Sequence, residues 1–191
     1  EQMITYYGPM EMADVIADEE KYHNIPEKLE KYPKQDDLKL QQVAEPKVVI
    51  APYNAKQIYM ISYSNTGEKF DPAKTPIVTM YNEYFGGGMN SIVFQEMREA
   101  RGLAYSANAR YASPSKKDES YYFTTFIATQ NDKMMDAVNA FEEIINQMPQ
   151  SEAAFNIAKE NIIANLRTTR IKGQGVINYW LNLQKRGLSE D

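Results

Sequence analysis

The sequence predicts an α+β fold, a two-layer sandwich in which one mixed or antiparallel sheet is covered by helices. Two observations predict this fold. Short stretches with the two-residue alternation of strands are interspersed with longer stretches whose apolar residues recur every three to four positions, and the predicted order contains pairs of strands and pairs of helices. Hydrophobic residues make up 43% of the 191 residues, so we expect one domain over residues 1–191.

The first third of the chain predicts three strands and one helix. Alternating aromatic residues predict a short strand at 4–8, and a helix follows at 9–23. Residues 26–46 are rich in Lys, Asp, Glu and Gln and contain three prolines, which predicts a solvated connection inside the domain. Residues 48–50 and 57–64 predict strands, the second of them buried on both faces.

The middle of the chain predicts two helices separated by a glycine run. Residues 71–76 start the first helix, which the glycines at 86–88 end. The second helix is predicted from 89 to 101, with Gly102 as its stop. One stripe of the first helix carries Ile77, Met80, Tyr81 and Tyr84.

A hairpin and three helices complete the pattern. Strands are predicted at 104–111 and 120–129, joined by a loop at 113–119. A helix follows that ends at Pro149, and Ser151 is a favourable N-cap for the next. The buried side of this second helix is predicted to carry Phe155, Ala158, Ile162 and Leu166. A last helix is predicted at about 174–186, before Gly187.

Composition and charge exclude several classes of function. The net charge of −5 argues against a general nucleic-acid binder, which needs a basic face. No apolar run approaches the roughly 20 residues of a membrane span. Cysteine is absent and His23 is the single histidine, so a zinc site within this chain alone is not expected. We expect His23 at the exposed end of a helix. Because the chain begins with Glu1, we expect it to be a piece of a longer protein.

The glycine run at 86–88 has two interpretations. Glycines before a helix can hold a phosphate on backbone N–H groups. Here, however, a helix precedes the run, no G-K-[ST] follows, and Ser91 stands where the last glycine of G-x-G-x-x-G would be. The pattern favours a tight turn between helices, and an anion-binding module remains the alternative.

Arg98 and Tyr105, seven residues apart, also have two interpretations. A cation is favoured at the C-terminal end of a helix, and Tyr105 fits an ordinary strand aromatic. Alternatively, Gly102 turns the chain back, so that a guanidinium and a phenol face one cleft. Both groups donate hydrogen bonds, and together they could hold a peptide carbonyl and its developing oxyanion.

The run YNEYFGGGMNSIVFQEMREARGLAYSANARY, residues 81–111, resembles the insulinase/pitrilysin family of zinc metallopeptidases. Members carry a glycine-containing turn, a helix that ends in R-E-x-x-G-L-A-Y, here 98–105, and then a strand. The strand-turn at 4–9 and the helix pair at 131–170 are also similar to the family pattern. The resemblance implies a fold like the LuxS/mitochondrial-processing-peptidase-like metallohydrolase domain.

The resemblance also implies a function. Family peptidases have two homologous halves that close like a clamshell. One half carries the zinc motif H-x-x-E-H, and the other has lost the ligands and supplies an arginine and a tyrosine to the substrate. By residue matching these are Arg98 and Tyr105, with Gly86, Gly87, Gly88 and Gly102 forming turns near them. This chain lacks the zinc motif.

The chain is therefore expected to be the non-catalytic, substrate-binding half of a zinc-dependent metalloendopeptidase. The zinc-binding half would be its partner, in cis or in trans, and a peptide its substrate. The resemblance leaves one alternative, a peptidase-inactive structural or assembly subunit with the same fold.

Overall fold

The computed structural model describes residues 4–23, 28, 31 and 40–189, and these residues form six helices and three strands. The helices are α1 (Met12–Tyr22), α2 (Thr75–Phe85), α3 (Ile92–Phe94), α4 (Met134–Asn146), α5 (Glu152–Thr168) and α6 (Gln174–Arg186). The strands are β1 (Gln57–Ser64), β2 (Ser106–Ala112) and β3 (Tyr122–Gln130).

The chain divides into two compact units. The larger unit, Leu40–Thr169, holds the sheet and helices α2 to α5. The smaller unit, Glu1–Lys39 with Arg170–Asp191, contributes helices α1 and α6. Helix α6 ends at Gly187, as the sequence predicts, because a residue at φ +66° closes the last turn at little cost when it is glycine.

The sheet of the larger unit is antiparallel, with β3 in the centre and β1 and β2 on its two sides. Helices α2 and α3 pack on β2, α4 packs on β3, and α5 packs on α2. The α+β fold with helices over an antiparallel sheet, predicted from the sequence, is confirmed. Successive side chains of a strand point to opposite faces of the sheet. In β1, Met60 packs against the core, whereas Tyr59 and Ile61 on the other face are exposed.

Small residues on β2 allow the helices to approach the sheet closely. Ala107 and Ala109 are buried against the core, and Gly86 at the end of α2 lies against the backbone of Ala109. A Cβ atom at Gly86 would lie 2.0 Å from the carbonyl oxygen of Ala109. The largest fully buried side chains are Tyr121, Phe85, Met97, Ile127 and Ile144.

Several predicted elements differ from the structure. Residues 4–8 and 48–50 pair with no strand among the described residues, and the apolar side chains of 48–50 are exposed. Strand 57–64 has one exposed face because helices cover the sheet on its other side. Of residues 26–46, only 28, 31 and 40–46 lie within the described residues, so the predicted connection falls mostly outside them.

Two predicted helix faces also differ. Ile77 is exposed, and α2 instead buries Val78 and Phe85, which face β2. Helix α5 buries Ala158, whereas Phe155 and Leu166 are exposed. The period of these helices was predicted correctly, but the direction that they present to the core depends on neighbours that the local sequence does not contain.

Candidate active-site groove

Arg98 lies on a π-helical segment, Gln95–Ala100, which continues directly from α3. The Ser91 hydroxyl caps α3 by accepting from the Phe94 N–H at 3.4 Å, so the helix begins three residues later than the sequence predicts. A π turn contains one extra residue and therefore rotates the side chains after it relative to an α-helix. Met97 is fully buried, whereas its neighbour Arg98 is half exposed.

The end of this helix is fixed by backbone hydrogen bonds, two of which share one carbonyl. Gly102 adopts φ +57°, a left-handed conformation that glycine reaches without strain. The turn brings the N–H groups of Leu103 and Ala104 to the Met97 carbonyl, at 2.9 and 3.2 Å. This closure directs the chain into β2 immediately after the helix.

The backbone around Tyr105 is held by the central strand. The Tyr105 N–H donates to the Ala128 carbonyl at 2.8 Å, which extends the β2–β3 pairing by one residue. The buried Thr129 hydroxyl donates to the Leu103 carbonyl at 2.5 Å. The backbone at Leu103 and Tyr105 is therefore fixed, although the Tyr105 side chain is 72% exposed.

Arg98 and Tyr105 lie side by side. The Arg98 guanidinium carbon is 5.9 Å from the centre of the Tyr105 ring and 5.1 Å from the centre of the Phe94 ring. Phe94 is one helical turn before Arg98, and its ring restricts the guanidinium by a cation–π contact. In the described part of the chain neither the guanidinium nor the Tyr105 hydroxyl has a hydrogen-bond acceptor.

Both side chains line one cavity of about 280 Å³, which we call the Arg98 cavity. It is lined by Gln57, Arg98, Gly102, Leu103, Ala104, Tyr105, Thr129, Gln130 and Lys133. The cavity lies where the starts of β1 and β2 meet the end of β3, because Gln57 and Gln130 are opposite each other in the sheet. Of the predicted site residues, the structure therefore brings Arg98, Tyr105 and Gly102 together.

Arg101, the residue after the π-helical segment, differs from Arg98 in its ion pairs. Its guanidinium donates to Glu143 at 2.7 Å and lies 3.5 Å from Glu96. The hydrogen bond to the Glu143 carboxylate raises the pKa of Arg101 above its ordinary value. Arg101 thus joins two helices by ion pairs, whereas the one ion pair of Arg98 among the described residues is with its neighbour Glu99, at 3.6 Å.

The glycines at 86–88 do not line the Arg98 cavity. Gly86 is required by the close approach to Ala109, and a Cβ atom at Gly87 would lie 2.7 Å from the Asn82 carbonyl oxygen. Gly88 has open space around its Cα. The run accordingly forms a tight passage from α2 to α3 in which backbones approach each other.

Polar side chains that were not predicted from the sequence hold the C-terminal end of β2 in place. The Asn82 amide accepts from the Tyr111 N–H at 2.8 Å and donates to the Tyr111 carbonyl at 2.9 Å, as a neighbouring strand would. The Tyr111 hydroxyl donates to Glu68, which also pairs with Lys74. The Tyr111 ring stacks on Tyr121 with centroids 5.2 Å apart. We call Glu68, Lys74, Tyr111 and Tyr121 the tyrosine brace.

The residues present do not fit a zinc site. The chain has one histidine and no cysteine, and the described residues contain no group of three or more metal-ligating side chains. His23 caps the end of α1, is exposed, and lies 3.9 Å from Glu19, as predicted for a surface histidine. Over the ranges 4–23 and 40–189, no helix is both long and apolar enough to cross a membrane.

Sequence reasoning missed Phe94, Gln57 and Lys133 as neighbours of the site. The spacing of Phe94 and Arg98, four residues apart on a helix, was the available signal for a cation–π pair. Gln57 and Lys133 come from distant parts of the chain. The register of β1 with β3 places Gln57 at the cavity, and the turn after β3 places Lys133 there.

Fold and site together define a class of protein. It has an antiparallel sheet covered by helices, and the tyrosine just before β2 lies beside an arginine at the end of the preceding helix. The described residues contain no metal-ligand cluster. The family model described as Peptidase M16 inactive domain matches residues 12–162, so the chain belongs to this family. The predicted resemblance to the domain of a zinc peptidase family, namely the domain that does not itself bind zinc, is confirmed.

Individual relatives agree with this assignment. An uncharacterized zinc protease of Rickettsia bellii (strain RML369-C) is 35% identical over 92 residues, which are 46% of this chain and 21% of that protein. A crystal structure of a peptidase M16 inactive domain from Pseudomonas fluorescens matches with a TM-score of 0.57 at 18% identity, over 80% of this chain and 37% of that one.

The crystal structure of a protease from Helicobacter pylori matches with a TM-score of 0.62 at 13% identity, over 93% of this chain and 44% of that one. At these identities the two structures support the fold. The chain spans about a fifth of the length of the Rickettsia relative and less than half of each solved chain.

Proposed function

We propose that this chain, as one peptidase-like domain over residues 1–191, is the substrate-binding half of a zinc-dependent metalloendopeptidase. Its partner is a homologous zinc-binding half, in the same chain or in another subunit. That half supplies the metal-assisted hydrolysis of the peptide bond. The membership of an inactive-domain family and the lack of a fitting metal-ligand set in this chain support the division of labour.

The observation that carries the proposal is the geometry of Arg98 and Tyr105. Both side chains line one cavity, their charged and aromatic groups are 5.9 Å apart, and both hydrogen-bond donors are available. In the described part of the chain Arg98 has an ion pair with its neighbour Glu99 alone, at 3.6 Å, whereas Arg101 pairs both with Glu96 and with Glu143 of α4.

The chemistry of the two groups suits a peptide bond under attack. A carbonyl oxygen accepts hydrogen bonds weakly in the ground state and strongly once it becomes an oxyanion. Donors that are already oriented stabilise that charge without reorganisation, and the loss of one costs about 2.7–4 kcal/mol. The fixed backbone at Leu103 and Tyr105 and the Phe94 ring against Arg98 provide that orientation.

The test is cleavage of a peptide by the complete peptidase carrying Arg98→Ala, with Arg101→Ala as the matched control. Arg98→Ala should lower kcat/KM by about 10² to 10³, with unchanged zinc content and melting temperature. Arg98→Lys should recover only part of the loss, because an ammonium lacks the planar guanidinium fork.

Arg101→Ala should instead lower the melting temperature and leave kcat/KM within about threefold of wild type, since it removes ion pairs of a side chain that does not line the cavity. Wild-type cleavage by Arg98→Ala would reject the proposed role.

A second candidate function is a structural or assembly subunit without peptidase activity. The open face of the sheet, where Tyr59 and Ile61 are exposed, favours it because such a face suits contact with another chain. The two candidates differ in one observable result. If the complete protein, loaded with zinc, cleaves no peptide while it forms a stable larger complex, the structural role is correct.

A further inference from the structure

We propose that the Arg98 cavity selects peptides that carry a carboxylate near the scissile bond, and that Lys133 is the specificity-determining residue. This inference rests on the proposed function, because it names the class of substrate for the same Arg98 cavity.

The cavity wall is cationic in an acidic chain. The chain has 26 acidic against 21 basic residues. Of the residues that line the cavity, however, the charged ones are Arg98 and Lys133, and no Asp or Glu is among them. Glu99 lies 3.6 Å from the Arg98 Nε, but it is half exposed and is not part of the lining.

Lys133 is placed by the turn from sheet to helix. It ends the 3₁₀ turn Asn131–Lys133 that follows β3, and it occupies the N-cap position of α4. Its residue is partly buried, and within the described part of the chain no carboxylate lies within ion-pair distance of its ammonium. Lys74, by contrast, is paired with Glu68. The positive end of the α4 dipole adds to the field of Lys133.

The neutral groups of the cavity add another donor. The Tyr59 hydroxyl donates to the Oε1 of Gln57 at 3.2 Å, which leaves the amide NH₂ of Gln57 available to donate. The Tyr105 hydroxyl, the Arg98 guanidinium, the Lys133 ammonium and the Gln57 amide are four donor groups among the lining residues. Such a set matches an anion that accepts several hydrogen bonds.

The size of the cavity limits the ligand to one small group. A volume of about 280 Å³ is at the lower end of small-molecule sites. A peptide whose scissile carbonyl lies on Arg98 and Tyr105 would place one neighbouring side chain, or its own C-terminal end, beside Lys133. An Asp or Glu side chain and a terminal carboxylate both supply the required charge.

The experiment uses the complete peptidase and a fluorogenic peptide that it cleaves, with Gln, Glu or Lys in turn at each position near the scissile bond. We expect one position at which Glu is preferred over Gln by about three- to tenfold in kcat/KM, mainly through KM. The preference should shrink as salt rises from about 0.05 to about 0.5 M. Peptides with an amidated C terminus separate the terminal carboxylate from a side-chain carboxylate.

Variants then assign the preference to Lys133. Lys133→Gln should abolish it, Lys133→Glu should invert it in favour of Lys peptides, and Lys133→Arg should keep it. Lys117→Glu makes the same charge change in the exposed loop between β2 and β3 and should leave the preference as in wild type. A wild-type enzyme without charge preference, or a preference that survives in Lys133→Glu, would overturn the inference.

Failure of the inference and failure of the proposed function give different results. If Arg98→Ala is inactive while all wild-type peptides are cleaved equally, the groove binds substrate without selecting charge. If the protein cleaves none of the peptides, fluorescence anisotropy with the labelled Glu and Lys peptides decides. Tighter binding of the Glu peptide that is lost in Lys133→Glu supports an anion site, and equal binding rejects it.

Discussion

The two ends of β2 carry the same residue type in opposite settings. At the far end, Tyr111 donates to Glu68 and stacks on Tyr121, and burial together with that carboxylate raises the pKa of Tyr111 well above its ordinary value. At the near end, Tyr105 is exposed and its hydroxyl has no acceptor in the described part of the chain. Arg101 and Arg98 repeat the contrast on one helical segment.

The difference teaches how structural polar groups are told from functional ones in this molecule. The Asn82 amide bonds to the Tyr111 backbone, and the Tyr111 hydroxyl bonds to Glu68. These polar groups therefore already have partners within the fold. Arg98 and Tyr105 are held in place by Phe94 and by the backbone, while their donors stay open to a cavity. Donors that are held in place but have no acceptor are expected of a site that binds a substrate.

The largest effect on the fold is expected at Gly86, where the end of α2 meets the middle of β2. Gly86→Ala places a Cβ atom 2.0 Å from the Ala109 carbonyl oxygen, and backbone cannot move aside as a flexible side chain can. We expect a loss of about 3 kcal/mol or more in the free energy of unfolding. Denaturant titration measures it.

Gly88→Ala is the matched control, because no atom lies within 4 Å of its Cβ position and its φ is not positive. It should be neutral or slightly stabilising. Equal stability of the two alanine variants would show that the close approach of α2 to β2 is not tight.

The smallest effect is expected from the pH dependence of the tyrosine brace. Hydrogen bonds from Lys74 and then from Tyr111 lower the pKa of Glu68 below 4.5. A carboxyl group with a lowered folded pKa contributes stability above its unfolded pKa and loses it as pH falls through the folded value. Glu68→Gln should lower the melting temperature near neutral pH by at most about 2 °C, since the pair is largely exposed.

The difference between wild type and Glu68→Gln should vanish on acidification below pH 4.5, as thermal melts across that range would show. A difference that is constant across the whole range would mean that the charge of Glu68 is not what stabilises the brace.

Much of the fold could be predicted because its signals are local. An apolar run predicted β1, alternation and a turn-rich loop predicted the β2–β3 hairpin, and Ser151 and Gly187 marked helix ends through chemistry that acts within one turn. Residues 48–50 have strand-like composition, but β-branched residues predict a strand only when a partner strand is present. Burial directions failed where packing partners are far away in sequence, as for Ile77 on α2.

The site was predictable only in part for the same reason. The motif at 98–105 pointed to Arg98 and Tyr105, and Gly102 indicated the turn between them. The π-helical segment is defined by the register of its backbone hydrogen bonds, which the pattern of apolar residues does not predict. Gln57 reaches the cavity through the pairing of β1 with β3, and Lys133 reaches it through the turn that follows β3.

The most direct measurement compares Tyr105→Phe with Tyr111→Phe in the complete peptidase, by kcat/KM and melting temperature together. Both changes remove one hydroxyl from the same strand. Tyr105→Phe should lower kcat/KM by about 10² and leave the melting temperature unchanged. Tyr111→Phe should lower the melting temperature by about 2–4 °C, the shift for about 1 kcal/mol, and leave kcat/KM unchanged. If both variants lose only stability, or Tyr105→Phe cleaves like wild type, Tyr105 does not act on the substrate.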